Sequence, residues 1–231
     1  MYLANNILAH ALRNVYWVLG GACGGKTTLA QHLSRKYGMF HYNADEMMWP
    51  LKQRASHAEQ PAMARHFTDW EEYFGRPADA YAKWLHDMEG EAFGMHVVEL
   101  IRLGADKPVV FEGGASAATI AAIAPHRRVV FLAPDEDVVR QAYFEREDKD
   151  DMYRLIKTLA EPQTIIDKIR GMVIEANHRQ LLEAQQAGLA VFPRGMDGCP
   201  EDMLKRVEQH LSGLRPDPSA DASVGAAFNG N

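Results

Sequence analysis

Cysteine is scarce in this sequence. Among 231 residues there are only Cys23 and Cys199, and neither sits in a CxxC pair or at a histidine spacing suited to zinc. The pair reads as reduced thiols rather than as a disulfide framework or a metal clip. An excess of positive charge is lacking too: 25 Lys and Arg stand against 31 Asp and Glu, a net charge of −6. That balance argues against broad nucleic-acid binding, which draws on a basic face. No stretch approaches the ~18 consecutive apolar residues that a membrane-crossing helix needs. The first residues, MYLANNILAHALRN, show no basic start leading into an apolar run. The expectation is a cytoplasmic protein with neither membrane nor nucleic acid as partner. The ten histidines form no HExxH or other ligand pair.

What is present is ordinary globular material, 47% hydrophobic and 24% charged, enough for one sizeable α/β domain. Short apolar runs alternate with longer amphipathic segments, the pattern of βαβ units. Strands are expected at Val15-Tyr16-Trp17-Val18-Leu19, Phe40-His41-Tyr42-Asn43, Val109-Val110-Phe111, Val129-Val130-Phe131-Leu132 and Leu189-Ala190-Val191-Phe192. Before the last of these, residues 162–186 carry Ile165, Ile166, Ile169, Met172, Val173 and Ala176 at helical spacing, with Gly188 as a stop. The fold class expected is a three-layer α/β/α arrangement around a five-stranded, mainly parallel sheet.

Between strands two and three lies a segment too long for a simple crossover, containing Trp70, Tyr73, Phe74, Tyr81, Trp84, Leu85 and Met88. It reads as a helical insertion, about 46–104, over the sheet edge where open α/β folds bind ligands. Its aromatic residues read as a small core of its own rather than a stacking platform. A single domain over 1–214 is expected, with a lid region about 140–160. Residues 215–231, rich in Pro, Ser, Ala, Gly and Asn, read as a disordered tail.

The most specific feature is Gly20-Gly21-Ala22-Cys23-Gly24-Gly25-Lys26-Thr27. It fits GxxxxGK[ST] between an apolar strand and a helix start at Thr28-Leu29-Ala30. Such a loop turns backbone N–H groups of residues 20–28 around a phosphate, adds the positive end of a helix, lets Lys26 bridge β- and γ-phosphates and offers the Thr27 hydroxyl to Mg2+. Cys23 reads as a small residue whose backbone matters more than its thiol. No NKxD-like segment specifies guanine, and no apolar run ends in Asp-Glu to polarise a hydrolytic water.

With this loop, the acidic pair Asp45-Glu46 beyond strand two, the Glu112-Gly113-Gly114 turn after strand three and an Arg-bearing helix after strand four, the chain resembles the nucleoside and nucleotide kinase superfamily over roughly residues 14–212. It is more similar to shikimate-kinase, gluconate-kinase and adenylate-kinase-like members than to thymidylate kinases, with no subfamily matching throughout. The resemblance implies transfer of the γ-phosphate of ATP, with Mg2+, to a hydroxyl or phosphate of a small molecule. A P-loop ATPase in a regulatory or macromolecule-coupled role is the alternative. Among the related enzymes an Asp after strand two contacts the acceptor hydroxyl, which implies that role for Asp45; the same residue is also a candidate cap for a helix starting at Glu46. Glu112 is placed to hold the water shell of Mg2+, although the relatives carry Asp-Gly or a glycine triplet at this turn. Gly113 and Gly114 would let substrate approach the backbone. Arg140, Arg146 and Arg154 are candidates for the charge on the transferring phosphoryl group, set against the acids around them, which also suit a solvated helix face. Arg76 is a candidate anion-binding residue for the acceptor, or else part of a surface turn. The Asp197-Gly198-Cys199-Pro200-Glu201 segment resembles the adenine-side loop of adenylate-kinase-like enzymes.

Overall fold

A computed structural model describes residues 3–146, 149–196 and 199–215. Five strands build one sheet: β1 (Val15–Gly20), β2 (Phe40–Asn43), β3 (Val109–Glu112), β4 (Val129–Pro134) and β5 (Val191–Arg194). The order is β2-β3-β1-β4-β5, and every pairing is parallel. The helices are α1 (Asn5–Ala11), α2 (Lys26–Tyr37), α3 (Ala44–Lys52), α4 (Trp70–Gly75), α5 (Ala78–Gly104), α6 (Ala117–Ile123), α7 (Glu136–Ala142), α8 (Asp150–Ile156), α9 (Pro162–Gln186) and α10 (Pro200–His210). The expected three-layer α/β/α class holds, and the sheet is wholly rather than mainly parallel.

Side chains of β1 alternate between two cores, as the strand period of two requires. Val15, Trp17 and Leu19 face Val97 and Leu100 of α5, Ile120 and Ile123 of α6 and Ala184 of α9. Tyr16 and Val18 face Leu29, Ala30 and Leu33 of α2 and Val207 of α10. With both faces covered, the strands are apolar throughout, which is why they were legible as runs rather than as alternation.

β5 lies two residues further along than the sequence pattern indicates. Gly188, at φ 68°, ends α9; its N–H donates to Gln185 O at 3.0 Å and that of Leu189 to Ala184 O at 2.9 Å. This left-handed stop consumes Leu189, which tucks into the core beneath the helix. Pro193 is tolerated because β5 is an edge strand.

The 46–104 segment is not one separate lobe. The C-terminal half of α5 is the crossover helix of the sheet, burying Val97 and Leu100. Its N-terminal half carries Tyr81 and Trp84, which pack with Phe74 of α4 against Ile156 of α8 and Ile165, Ile166 and Ile169 of α9. Insertion and lid region therefore share one apolar cluster. No helix among the described residues is long and apolar enough to cross a membrane. The tail expectation for 216–231 and residues 197–198 of the proposed adenine-side loop lie outside the described residues.

Candidate active site

The loop between β1 and α2 takes the shape its glycines permit. Gly21 N donates to Leu132 O at 3.1 Å, and Gly24 N to Gly21 O at 3.1 Å. Gly25 caps α2 at φ 89°, with no side chain bonded to the first turn. The N–H groups that open this twelve-residue helix are thus left to an external acceptor, the arrangement that suits a phosphate. Cys23 holds φ 67° without being glycine, a conformation costing about 1 kcal/mol. It is nonetheless held there. Its side chain packs among Val138, Val139 and Ile174, and its carbonyl accepts from Arg194 of β5 at 2.5 Å. The thiol is accordingly a packing group.

Two contacts to this loop were missed by sequence reasoning. Asn177 of α9, 8% exposed, accepts from Ala22 N at 2.9 Å and donates to Ala22 O at 3.2 Å. A Cβ on Gly21 would come within 2.6 Å of the same side chain, so position 21 must be glycine for the amide to seat. The signal was available in principle: Asn177 is a polar residue on the buried stripe that also carries Ile166, Ile169 and Ile174. Arg194 was hidden because β5 was placed too early.

The Lys26 ammonium donates to Gly20 O and Gly21 O, each at 3.0 Å. Burial pulls its pKa down, and Asp45 and Glu112 oppose that pull. Arg146 adds to the lowering, so a second cation stands within electrostatic reach of the lysine. The other arginines named from sequence lie elsewhere. Arg140 pairs with Glu136 and Arg154 with Asp150, one turn apart on exposed helix surfaces.

Asp45 proves not to be the cap of α3. That role falls to Asn43, whose side chain accepts from Asp45 N at 3.0 Å and Glu46 N at 3.3 Å. The Asp45 carboxylate is thereby released to line a cleft. This cleft, of about 230 Å3, is bounded by Ala44, Asp45, Met48, Leu85, Met88, Glu89, Ala92, His96 and Gly114. Glu89, a second acid beside Asp45, was missed by sequence reasoning. It lies on the α5 face that also carries Leu85, Met88, Ala92 and His96, where two polar residues interrupt an apolar spacing of three and four. Its carboxyl stays open to solvent at the cleft, yet partial desolvation and then Asp45 raise its pKa.

His96 is 3% exposed, and its Nδ1 meets the Tyr42 hydroxyl at 2.8 Å. Burial holds the histidine pKa down to about 4 and pushes the tyrosine up to about 12. Near neutral pH a neutral imidazole and a neutral phenol therefore share this hydrogen bond through Nδ1. Among the described residues Nε2 has no hydrogen-bond partner.

Glu112, 3% exposed, ends β3 with Oε1 at 2.8 Å from His41 Nε2. Gly113 serves packing, since a Cβ there would stand 2.4 Å from Ala44 Cβ; Gly114 faces the Glu89 carboxyl across the cleft. Arg76 lies apart, stacked at 4.3 to 4.5 Å from the rings of Phe67, Tyr81 and Trp84. Among the described residues its buried Nη atoms have no hydrogen-bond partner, and Lys168 donates to its carbonyl at 2.7 Å. Its guanidinium is held among the insertion's own aromatic faces, while the Lys168 bond to its carbonyl ties the segment to α9; it does not line the cleft.

No protein-family model matches this chain, and no curated protein matches it. Among solved structures, a shikimate kinase from Acinetobacter baumannii in complex with shikimate is similar to it at 18% identity, covering 84% of this chain and 90% of that one, with a TM-score of 0.43. Likeness at this level says nothing of substrate. The parallel sheet in the order β2-β3-β1-β4-β5, with the GxxxxGKT loop joining its central strand to α2, is a three-layer α/β/α fold.

Proposed function

We propose that this protein is an ATP-dependent phosphotransferase that moves the γ-phosphate to a small-molecule acceptor. One observation carries the reading: Lys26 of the loop sits in a common electrostatic environment with Asp45, Glu112 and Arg146, beside a cleft that Asp45 lines. A phosphate site, a carboxylate able to take a proton and a second cation thus meet where two substrates would meet.

In this reading the loop amides and Lys26 hold the β- and γ-phosphates, and an acceptor hydroxyl in the cleft attacks the γ-phosphorus. The bond between that phosphorus and the β,γ-bridging oxygen breaks, and the hydroxyl proton passes to Asp45. Arg146 and Lys26 offset the charge that spreads over the phosphoryl oxygens. Met48, Leu85 and Met88 give the cleft apolar walls. Among the described residues no three His, Cys, Asp or Glu side chains converge on a metal position. Mg2+ would take most of its ligands from phosphate oxygens and water, with the Thr27 hydroxyl and the Glu112 carboxylate as the protein's share. Bound there, Mg2+ would neutralise phosphate charge.

The test is ADP release from ATP and Mg2+ across a panel of small hydroxyl compounds. Large stimulation by one chemical class, with a phosphorylated product, supports the reading. Stimulation only by a macromolecule, with inorganic phosphate as the sole product, supports a regulatory ATPase instead.

A further inference from the structure

The acceptor cleft has an unusual charge for a protein expected to take a small metabolite. Its lining combines Asp45 and Glu89 with the apolar walls of Met48, Leu85, Met88 and Ala92, and contains neither lysine nor arginine. The cations within electrostatic reach of Glu89 are Lys26 and Arg179, and neither lines the cavity. Lys26 is engaged with the loop carbonyls. Arg76, a candidate from sequence for acceptor binding or for a surface turn, is enclosed by aromatic rings. A carboxylate or phosphate acceptor placed in this cleft would therefore meet two like charges with no bidentate partner, an arrangement that repels rather than binds.

We infer that the acceptor is a cationic hydroxyl compound, an amino alcohol or amino sugar, whose ammonium group rests on Glu89 while its hydroxyl faces Asp45. This rests on the phosphotransferase reading above and narrows it from hydroxyl or phosphate acceptors to amine-bearing alcohols. A polar group on the same α5 face as Glu89 fits the same ligand. Among the described residues the buried His96 makes no hydrogen bond through Nε2, and with its Nδ1 occupied by Tyr42 that nitrogen is left to meet a ligand hydroxyl. The carbon skeleton lies along Met48, Leu85 and Met88, side chains that adapt to varied apolar shapes. An ammonium also relieves the repulsion of Asp45 and Glu89, which adds to desolvation in raising the Glu89 pKa. The reaction then converts R–OH and ATP into R–O–PO3 and ADP. The hydroxyl proton goes to Asp45, and the amine keeps its own.

Matched probes decide the matter. Serinol and glucosamine present ammonium groups, whereas glycerate and gluconate present carboxylates on skeletons of the same carbon number. Each is given to the full chain with ATP and Mg2+, with ADP release and the phosphorus NMR signal of a phosphomonoester as readouts. Serinol or glucosamine should stimulate turnover and the two acids should not. Glu89→Gln should lower kcat/KM for the amine about 10- to 100-fold through KM, with the KM for ATP unmoved. Glu89→Lys should shift the preference toward the acids. Comparable melting temperatures of both variants and wild type establish that each is folded. Stimulation by glycerate or gluconate alone overturns the inference and leaves the phosphotransferase reading standing. A chain that ATP stabilises but that no acceptor of either class stimulates fails both.

Discussion

The bridge between Asn177 and Ala22 makes the phosphate loop dependent on a helix remote in sequence, so Asn177→Ala should damage both stability and nucleotide binding. The side chain makes two hydrogen bonds to one backbone unit, at 2.9 and 3.2 Å, and is 8% exposed. Two such bonds contribute about 2 kcal/mol net, and leaving both Ala22 groups without a partner raises the loss to roughly 2–3 kcal/mol. For a domain of this size that is a fall in Tm of about 5–10 °C. Thermal denaturation followed by circular dichroism measures it, and calorimetric titration with ATP measures the second effect, an affinity weaker by about tenfold or more, the change expected from ~1.4 kcal/mol. Asn177→Asp is the informative control. The carboxylate still accepts from Ala22 N but cannot donate to Ala22 O, and it brings negative charge toward bound phosphates. It should lose more ATP affinity than stability. An Asn177→Ala protein that melts within 1 °C of wild type, by roughly the precision of the assay, and binds ATP as tightly would refute the clamp.

Other perturbations follow from the same geometry. Asp45→Asn should lower kcat by roughly 10²-fold or more with little change in the KM for ATP, as expected for loss of a proton acceptor; steady-state kinetics with the stimulating acceptor checks this. Arg146→Ala should reduce kcat/KM by about 10- to 100-fold, whereas Arg154→Ala, which breaks only an exposed pair with Asp150, should alter stability by less than about 0.5 kcal/mol and leave turnover unchanged. His96 gives a pH signature. Above its ordinary value of 6.5 the imidazole is neutral in both folded and unfolded chains. As pH falls below 6.5 the unfolded chain takes up a proton that the folded chain, with its value near 4, refuses. Stability is therefore lost between these values, by roughly 3 kcal/mol at most. Urea denaturation at pH 7 and pH 4.5 should show this loss in wild type and a smaller one in His96→Gln; equal losses would contradict the assignment.

The strands and the phosphate loop were legible because each is a local property. Apolar runs buried on both faces announce β1, β3 and β4, and the GxxxxGKT spacing carries its own turn chemistry. What escaped was set by distant contacts. Asn177 and Glu89 look like surface residues until α9 and α5 are laid against the loop and the cleft. β5 was displaced because Gly188 stops α9 and Leu189 is spent closing that stop, which apolar content alone cannot distinguish from a strand start. Asp45 was readable as a cap or a functional acid, and the choice rested on Asn43, two residues earlier, reaching the same amides. Of the arginines, sequence gave equal standing to Arg140, Arg146 and Arg154. Only a folded chain shows that Arg146 acts electrostatically on Lys26.

The central claim is that ATP is used to phosphorylate a small molecule, and phosphorus NMR of a reaction containing the protein, ATP, Mg2+ and an amino alcohol tests it most directly. The account predicts an organic phosphomonoester appearing in step with ADP, and no product with Lys26→Ala. A spectrum showing inorganic phosphate alone, or a product that Lys26→Ala still forms at the wild-type rate, would contradict it.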